Sequence, residues 1–106
     1  MNLFAKPSAS IFGEVICPGD KSISQRAVIL GSLLNEDIAI EGFLNGEDPI
    51  STANALNAIG SSITINGTSV IIEKRNTPFK KPETEVDLGN SGTGMRLMMG
   101  LISSLN

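Results

Sequence analysis

The chain has 106 residues, 41% of them hydrophobic, and a formal net charge of −3. That is one small domain or a piece of a larger one, too apolar for a disordered tail and too acidic for non-specific nucleic-acid binding. The absence of histidine and the single cysteine, Cys17, exclude Ser-His-Asp and Cys-His catalysis within the chain and argue against a zinc site or a disulfide framework.

The first residues, Met1 to Pro7, have no charged stretch leading into an apolar one, and no apolar run approaches membrane-spanning length. A soluble, cytoplasmic chain is expected. Ile11 to Ile16 reads as a short strand, and Pro18-Gly19-Asp20 is turn chemistry. From Ser22, apolar residues recur at Ile23, Ala27, Leu30 and Leu34, close to helical period, and Asn35 is a stop that tolerates the left-handed conformation. Ile38 to Phe43 alternates as a strand, and Leu44-Asn45-Gly46 turns the chain. A second helix follows, capped by Glu47 or Asp48, with Pro49 at its first position. Its apolar side is Ile50, Ala53, Leu56 and Ile59, and Gly60 ends it.

Ser62 to Ile65 and Ser69 to Glu73 flank Asn66-Gly67, the sequence of a type I′ hairpin. The stretch with Lys74, Arg75, Pro78, Lys80, Lys81 and Pro82 reads as a solvated connection. Thr84 to Leu88 is a further strand, followed by a glycine turn and a helix from about Ser91, whose apolar stripe is Leu97, Met98, Leu101, Ile102 and Leu105. The second start imitates the first. Glu14-Val15 leads through a glycine turn to Arg26, and Glu85-Val86 leads through one to Arg96. The pattern is one βαβαββ unit of an α/β fold, with a second copy cut short.

Chemistry concentrates at the two glycine turns. Lys21, Ser22 and Arg26 stand at a helix start, where exposed N–H groups and the dipole favour a small anion. Ser22 and Arg26, four residues apart, share a face. Each has an ordinary structural alternative. Lys21 and Arg26 can be solvated surface charges. Ser22 fits a capping box with Gln25 reaching back. Gly89-Asn90-Ser91-Gly92-Thr93-Gly94 has neither the dinucleotide spacing nor a following acidic residue, and Gly19-Asp20-Lys21-Ser22 is not a P-loop. Gly92 can be a turn glycine or a point of close backbone approach to a ligand. Asn90 and Thr93 are expected to brace this turn, Arg96 to make a structural ion pair, and Cys17 to be a partly buried strand-end residue.

Pro18-Gly19-Asp20-Lys21-Ser22-Ile23-Ser24-Gln25-Arg26 resembles the N-terminal motif of the 5-enolpyruvylshikimate-3-phosphate synthases, members of the enolpyruvyl transferase family. Leu88-Gly89-Asn90-Ser91-Gly92-Thr93-Gly94-Met95-Arg96 resembles a second family motif. Gly46-Glu47-Asp48 with Ala55-Leu56-Asn57-Ala58-Ile59-Gly60 resembles a third, weaker one. The resemblance covers nearly the whole chain. Two positions depart from it: Gln25, where the family usually has His, and Leu97, where many members have Pro.

The resemblance implies an inside-out α/β barrel of two domains, each of three βαβαββ units, with the active site in the cleft between them. Residues 1–19 would form a strand belonging to the other domain, and residues 20–106 the first unit and the truncated start of the second. The chain would then be part of an enzyme, completed by a missing C-terminal segment and inactive alone. The implied reaction transfers the enolpyruvyl group of phosphoenolpyruvate to the 5-hydroxyl of shikimate 3-phosphate and releases phosphate, with no metal or organic cofactor. By resemblance Lys21 contacts both substrates, Ser22 the shikimate moiety, Arg26 its carboxylate, and the Gly92 backbone phosphoenolpyruvate. The herbicide glyphosate would compete for the space of phosphoenolpyruvate. Acid–base residues would lie downstream, so no catalytic group is expected here. The whole enzyme would be a cytoplasmic monomer with no nucleic-acid or membrane partner. The alternatives are a relative of the UDP-N-acetylglucosamine enolpyruvyl transferase, which has Lys-Asn in place of Lys21-Ser22, and a non-catalytic anion-binding remnant.

Overall fold

A computed structural model describes residues 1–105 of the chain. The elements are α1 (Lys21–Leu34), β1 (Ile38–Ile40), α2 (Glu47–Ala58), β2 (Ser62–Asn66), β3 (Ser69–Glu73) and α3 (Gly92–Ser103). The strands form one antiparallel sheet in the order β1-β3-β2. Its register builds two apolar rows across the sheet, Ile38–Ile72–Ile63 and Ile40–Val70–Ile65. Strand side chains alternate, so both rows share a face. Val28 and Ile29 of α1, Ala53 and Leu56 of α2, and Met98 and Leu101 of α3 complete the core with Phe43 and Leu88. Gly31 permits close packing of α1 on β3, since a Cβ there would lie 2.5 Å from Cδ1 of Ile72.

Helix α1 turns a different face inward from the one its apolar periodicity marks. Ile23, Leu30 and Leu34 are exposed, and the buried side is Ser24, Gln25, Val28, Ile29, Gly31 and Ser32. Its cap also differs. Asp20 is the N-cap, its carboxylate accepting from the Ile23 N–H at 2.8 Å, so Ser22 is already helical and Gln25 does not reach back. At the other end Asn35 takes the left-handed conformation, as expected, with φ 55° and ψ 46°. Helix α2 starts one residue earlier than its cap candidates. Gly46 is the N-cap without a side-chain bond, Glu47 and Asp48 fill the first turn, and Pro49 is third.

The hairpin loop is Gly67-Thr68 rather than Asn66-Gly67, because Asn66 still pairs with Ser69. Only Gly67 has positive φ (62°), the pattern of a type II′ turn. Strand β1 stops at Ile40 because its partner β3 begins at Ser69, and Phe43 then turns into the core, its N–H donating to the Thr68 carbonyl.

Neither expected flanking strand forms. A strand needs a partner backbone, and residues 11–16 and 84–88 find none among the described residues. Residues 1–18 are exposed throughout, including Leu3, Phe4, Ile11, Phe12, Val15, Cys17 and Ile16, the last at 98% exposure. Cys17 is therefore not a buried strand end. This arm stretches the molecule to 60 Å and its radius of gyration to 17.0 Å, against about 13 Å for a compact chain of this length. The fold is thus αβαββ followed by α3, within the α/β class expected, with the leading strand unformed. Arg75 is not a solvated loop charge. Its guanidinium donates to the Ser32 and Thr77 carbonyls and lies 3.7 Å from the centre of the Phe79 ring, closing the C-terminal end of α1. In α3, Leu97, Met98 and Leu101 face inward, whereas Ile102 is exposed and Leu105 lies beyond the end of the helix. The helix ends at Ser103, with Ser104 as its C-cap. No helix among the described residues is long and apolar enough to cross a membrane.

Candidate anion-binding site

The starts of all three helices converge. Lys21, the first residue of α1, reaches the first turn of α2, with Nζ 3.0 Å from Oδ2 of Asp48. One helical turn further, Gln25 of α1 donates to Oγ1 of Thr52 on α2 (3.0 Å) and to Oγ of Ser91, the N-cap of α3 (2.8 Å). Ser91 also accepts from the Gly94 N–H at 2.9 Å. The glycine turn also lies close against α2, since a Cβ on Gly89 would lie 3.3 Å from Oγ of Ser51.

The three starts differ electrostatically. Helix α2 neutralises its own positive end with Glu47 and Asp48. Helices α1 and α3 carry no acidic residue in their first turns. The Asp20 carboxylate already caps the α1 end, so the α3 end, capped by the neutral Ser91, is the one open to an external anion, and basic side chains stand beside it.

The Lys21 side chain is 53% exposed and its partner Asp48 22% exposed. A pair this exposed is worth about 0.2–1 kcal/mol. A charge-assisted bond to a ligand contributes about 1.5–3 kcal/mol, so Lys21 can exchange Asp48 for a phosphate or carboxylate. Ser22 is half-buried and free of capping duty. Arg26 is exposed, and no carboxylate lies within 4.0 Å of it among the described residues. Arg96 likewise lacks the expected ion pair among the described residues. Its guanidinium instead lies over Gly92, with Nη1 3.0 Å from where a Cβ on that residue would be. Arg26 and Arg96 line one groove of about 420 Å³ between α1 and α3, whose remaining walls are mostly apolar.

The structure therefore gathers Lys21, Arg26 and the Gly92 turn around converging helix starts. Asp48, Thr52, Ser91 and Gly94 join them, none of which the sequence marked as a binding residue. The turn is braced by Ser91, by Gln25 and by Asp87, whose Oδ1 accepts from the Gly89 N–H at 2.7 Å, rather than by Asn90 and Thr93. A polar residue at a buried helical position was the available signal for Gln25. Its partner Ser91 lies 66 residues away, beyond the reach of any local pattern.

The family model described as EPSP synthase (3-phosphoshikimate 1-carboxyvinyltransferase) matches residues 5–106. The chain belongs to the EPSP synthase family. The 3-phosphoshikimate 1-carboxyvinyltransferase of Petrotoga mobilis is 46% identical over 108 residues, covering 100% of this chain and 25% of the relative. That of Ruthia magnifica is 47% identical over 100 residues, covering 93% and 23%. The solved EPSP synthase from Acinetobacter baumannii superposes with a TM-score of 0.79 at 35% identity, over 89% of this chain and 22% of that one. The chain thus spans about a quarter of the length of the EPSP synthases it matches.

Proposed function

We propose that this chain supplies one quarter of an enolpyruvyl transfer site, the part that gathers the anionic ends of phosphoenolpyruvate and shikimate 3-phosphate. The observation that carries this is the convergence of Lys21 and Arg26 of α1 on the start of α3, which has a neutral cap, Ser91, and no acidic residue in its first turn. The reaction joins the 5-hydroxyl oxygen of shikimate 3-phosphate to C2 of phosphoenolpyruvate. C3 gains a proton and the hydroxyl loses one; the tetrahedral adduct then loses a C3 proton and expels phosphate, which restores the C2–C3 double bond. Its main obstacle is repulsion between two polyanions, which positioned cations and N–H groups offset.

In this reading Lys21 leaves Asp48 to serve both anions. Ser22 and Arg26, on one face of α1, hold the shikimate moiety, Arg26 as a two-pronged donor to its carboxylate. The Gly92 backbone at the start of α3 receives phosphoenolpyruvate. Ser22 without capping duty and Arg26 without a carboxylate favour this over the UDP-N-acetylglucosamine enolpyruvyl transferases. The proton-handling groups come from the remaining three quarters of the enzyme. The exposed apolar arm, residues 1–18, pairs as a strand in its other domain. We assign the completed enzyme to the cytoplasm and to a monomeric state, without metal or organic cofactor.

The test is a chimera in which this chain replaces the matching quarter of the Petrotoga mobilis relative, assayed by phosphate release. The chimera should turn over both substrates, while the 106-residue chain alone should read background. A folded but inactive chimera contradicts the proposal.

A further inference from the structure

Gln25 is fully buried, although the next residue, Arg26, is exposed. Thr52 gives its hydroxyl proton to the Asp48 carbonyl, so toward Gln25 it can only accept. That fixes the amide: Nε2 faces the two hydroxyls, donating one hydrogen to Thr52 and the other to Ser91. Its carbonyl oxygen, Oε1, is buried without a partner. A leucine of similar volume would leave no such orphan, so fold stability alone does not account for glutamine here.

The node is also shaped to exclude any other group. A Cβ on Gly94 would lie 2.8 Å from Oγ of Ser91, 2.9 Å from Oγ1 of Thr52 and 3.2 Å from Nε2 of Gln25. Gly94 is therefore glycine so that the backbone can close onto this trio. The chain of contacts runs from α1 through Gln25 to Ser91, and from Ser91 to the Gly94 N–H at the start of α3. Gln25 reaches solvent nowhere, so it can meet a ligand only through what it holds.

We propose that Gln25 is a positioning residue that fixes the 89–94 turn and the start of α3 against α1, and so sets the affinity for phosphoenolpyruvate at Gly92 without touching it. The ligand named here rests on the function proposed above, whereas the bracing does not.

The experiment has two readouts. In the chain itself, Gln25→Leu should speed amide exchange at Gly94 about five- to tenfold, the weight of one hydrogen bond, and leave Val70 and Ile72 of the sheet unchanged. In the chimera, the same variant should raise the KM for phosphoenolpyruvate about five- to tenfold, with kcat and the KM for shikimate 3-phosphate held within about twofold. Its Tm should not fall. Gln25→His, which keeps a ring N–H, should restore most of the affinity. In a Ser91→Ala background Gln25→Leu should add little, because both act through one hydroxyl. If Gln25→Leu also frees the sheet amides, Gly94→Ala wedges the node from the opposite side and should raise the same KM. Unchanged Gly94 exchange, or equal rises in both KM values, overturns the proposal. A wild-type chimera without turnover overturns the ligand reading, and Gly94 exchange then decides the bracing alone.

Discussion

An added methyl at Gly92 would lie 3.0 Å from Nη1 of Arg96, and the group it meets is the far end of a long, exposed side chain. The guanidinium can swing away, so Gly92→Ala should barely change fold stability. The same methyl would project where the α3 N–H groups face a ligand. Overpacking a tight site costs about 1–3 kcal/mol, and glyphosate, larger than phosphoenolpyruvate, has less slack to absorb it. In the chimera, Gly92→Ala should raise the glyphosate inhibition constant by a larger factor than the phosphoenolpyruvate KM. Equal factors would show that Gly92 does not discriminate by size. The residues proposed to touch substrate were legible in the sequence because chemistry announces itself locally: a lysine, a hydroxyl and an arginine around a helix start. Their supports were not. Asp48 lies 27 residues from Lys21, and Ser91 lies 66 from Gln25, so only the fold could pair them.

The caps divide labour at the first element. Asp20 closes α1 through the Ile23 N–H, and Ser22 does not. Asp20→Ala should lower stability by about 0.5–2 kcal/mol. Ser22→Ala should leave stability within about 0.5 kcal/mol, as a non-capping substitution, and weaken shikimate 3-phosphate in the chimera. Urea unfolding of both variants separates the roles, and an equal loss of stability would return the cap to Ser22. Elements defined by local chemistry could be read directly. Asn35 stops α1 in the left-handed conformation, and the apolar strands flanking Gly67 pair as a hairpin. Where packing decides, the sequence misled. The apolar stripe of α1 faces outward because its inner face carries the polar Ser24 and Gln25 that bind neighbouring elements, and periodicity counts only apolar residues. Thr84 to Leu88 has strand character but no partner strand, and only Val86 and Leu88 pack on the core.

At the scale of the molecule, apolar surface exceeds what the fold covers. Phe4, Ile11, Phe12, Val15 and Ile16 are each at least 86% exposed, and Leu30, Leu34, Met99 and Ile102 add a second uncovered area on α1 and α3. Surfaces of this kind drive association. Sedimentation of the chain should show concentration-dependent association that weakens when residues 1–18 are removed. A monomer at all concentrations, with a sharp thermal transition, would contradict the reading of the arm as an unpaired strand.

We propose that the converging helix starts sort two anions between Lys21 and Arg26. Lys21 stands where α1 meets α2 and can serve either substrate, while Arg26 sits one turn along on the face of Ser22. Steady-state kinetics of Lys21→Ala and Arg26→Ala in the chimera, each substrate varied in turn, tests this most directly. Lys21→Ala should damage use of both substrates. Arg26→Ala should raise the KM for shikimate 3-phosphate about ten- to a hundredfold, the weight of one charge-assisted bond, and spare phosphoenolpyruvate. Equal effects of Arg26→Ala on the two substrates would contradict the account.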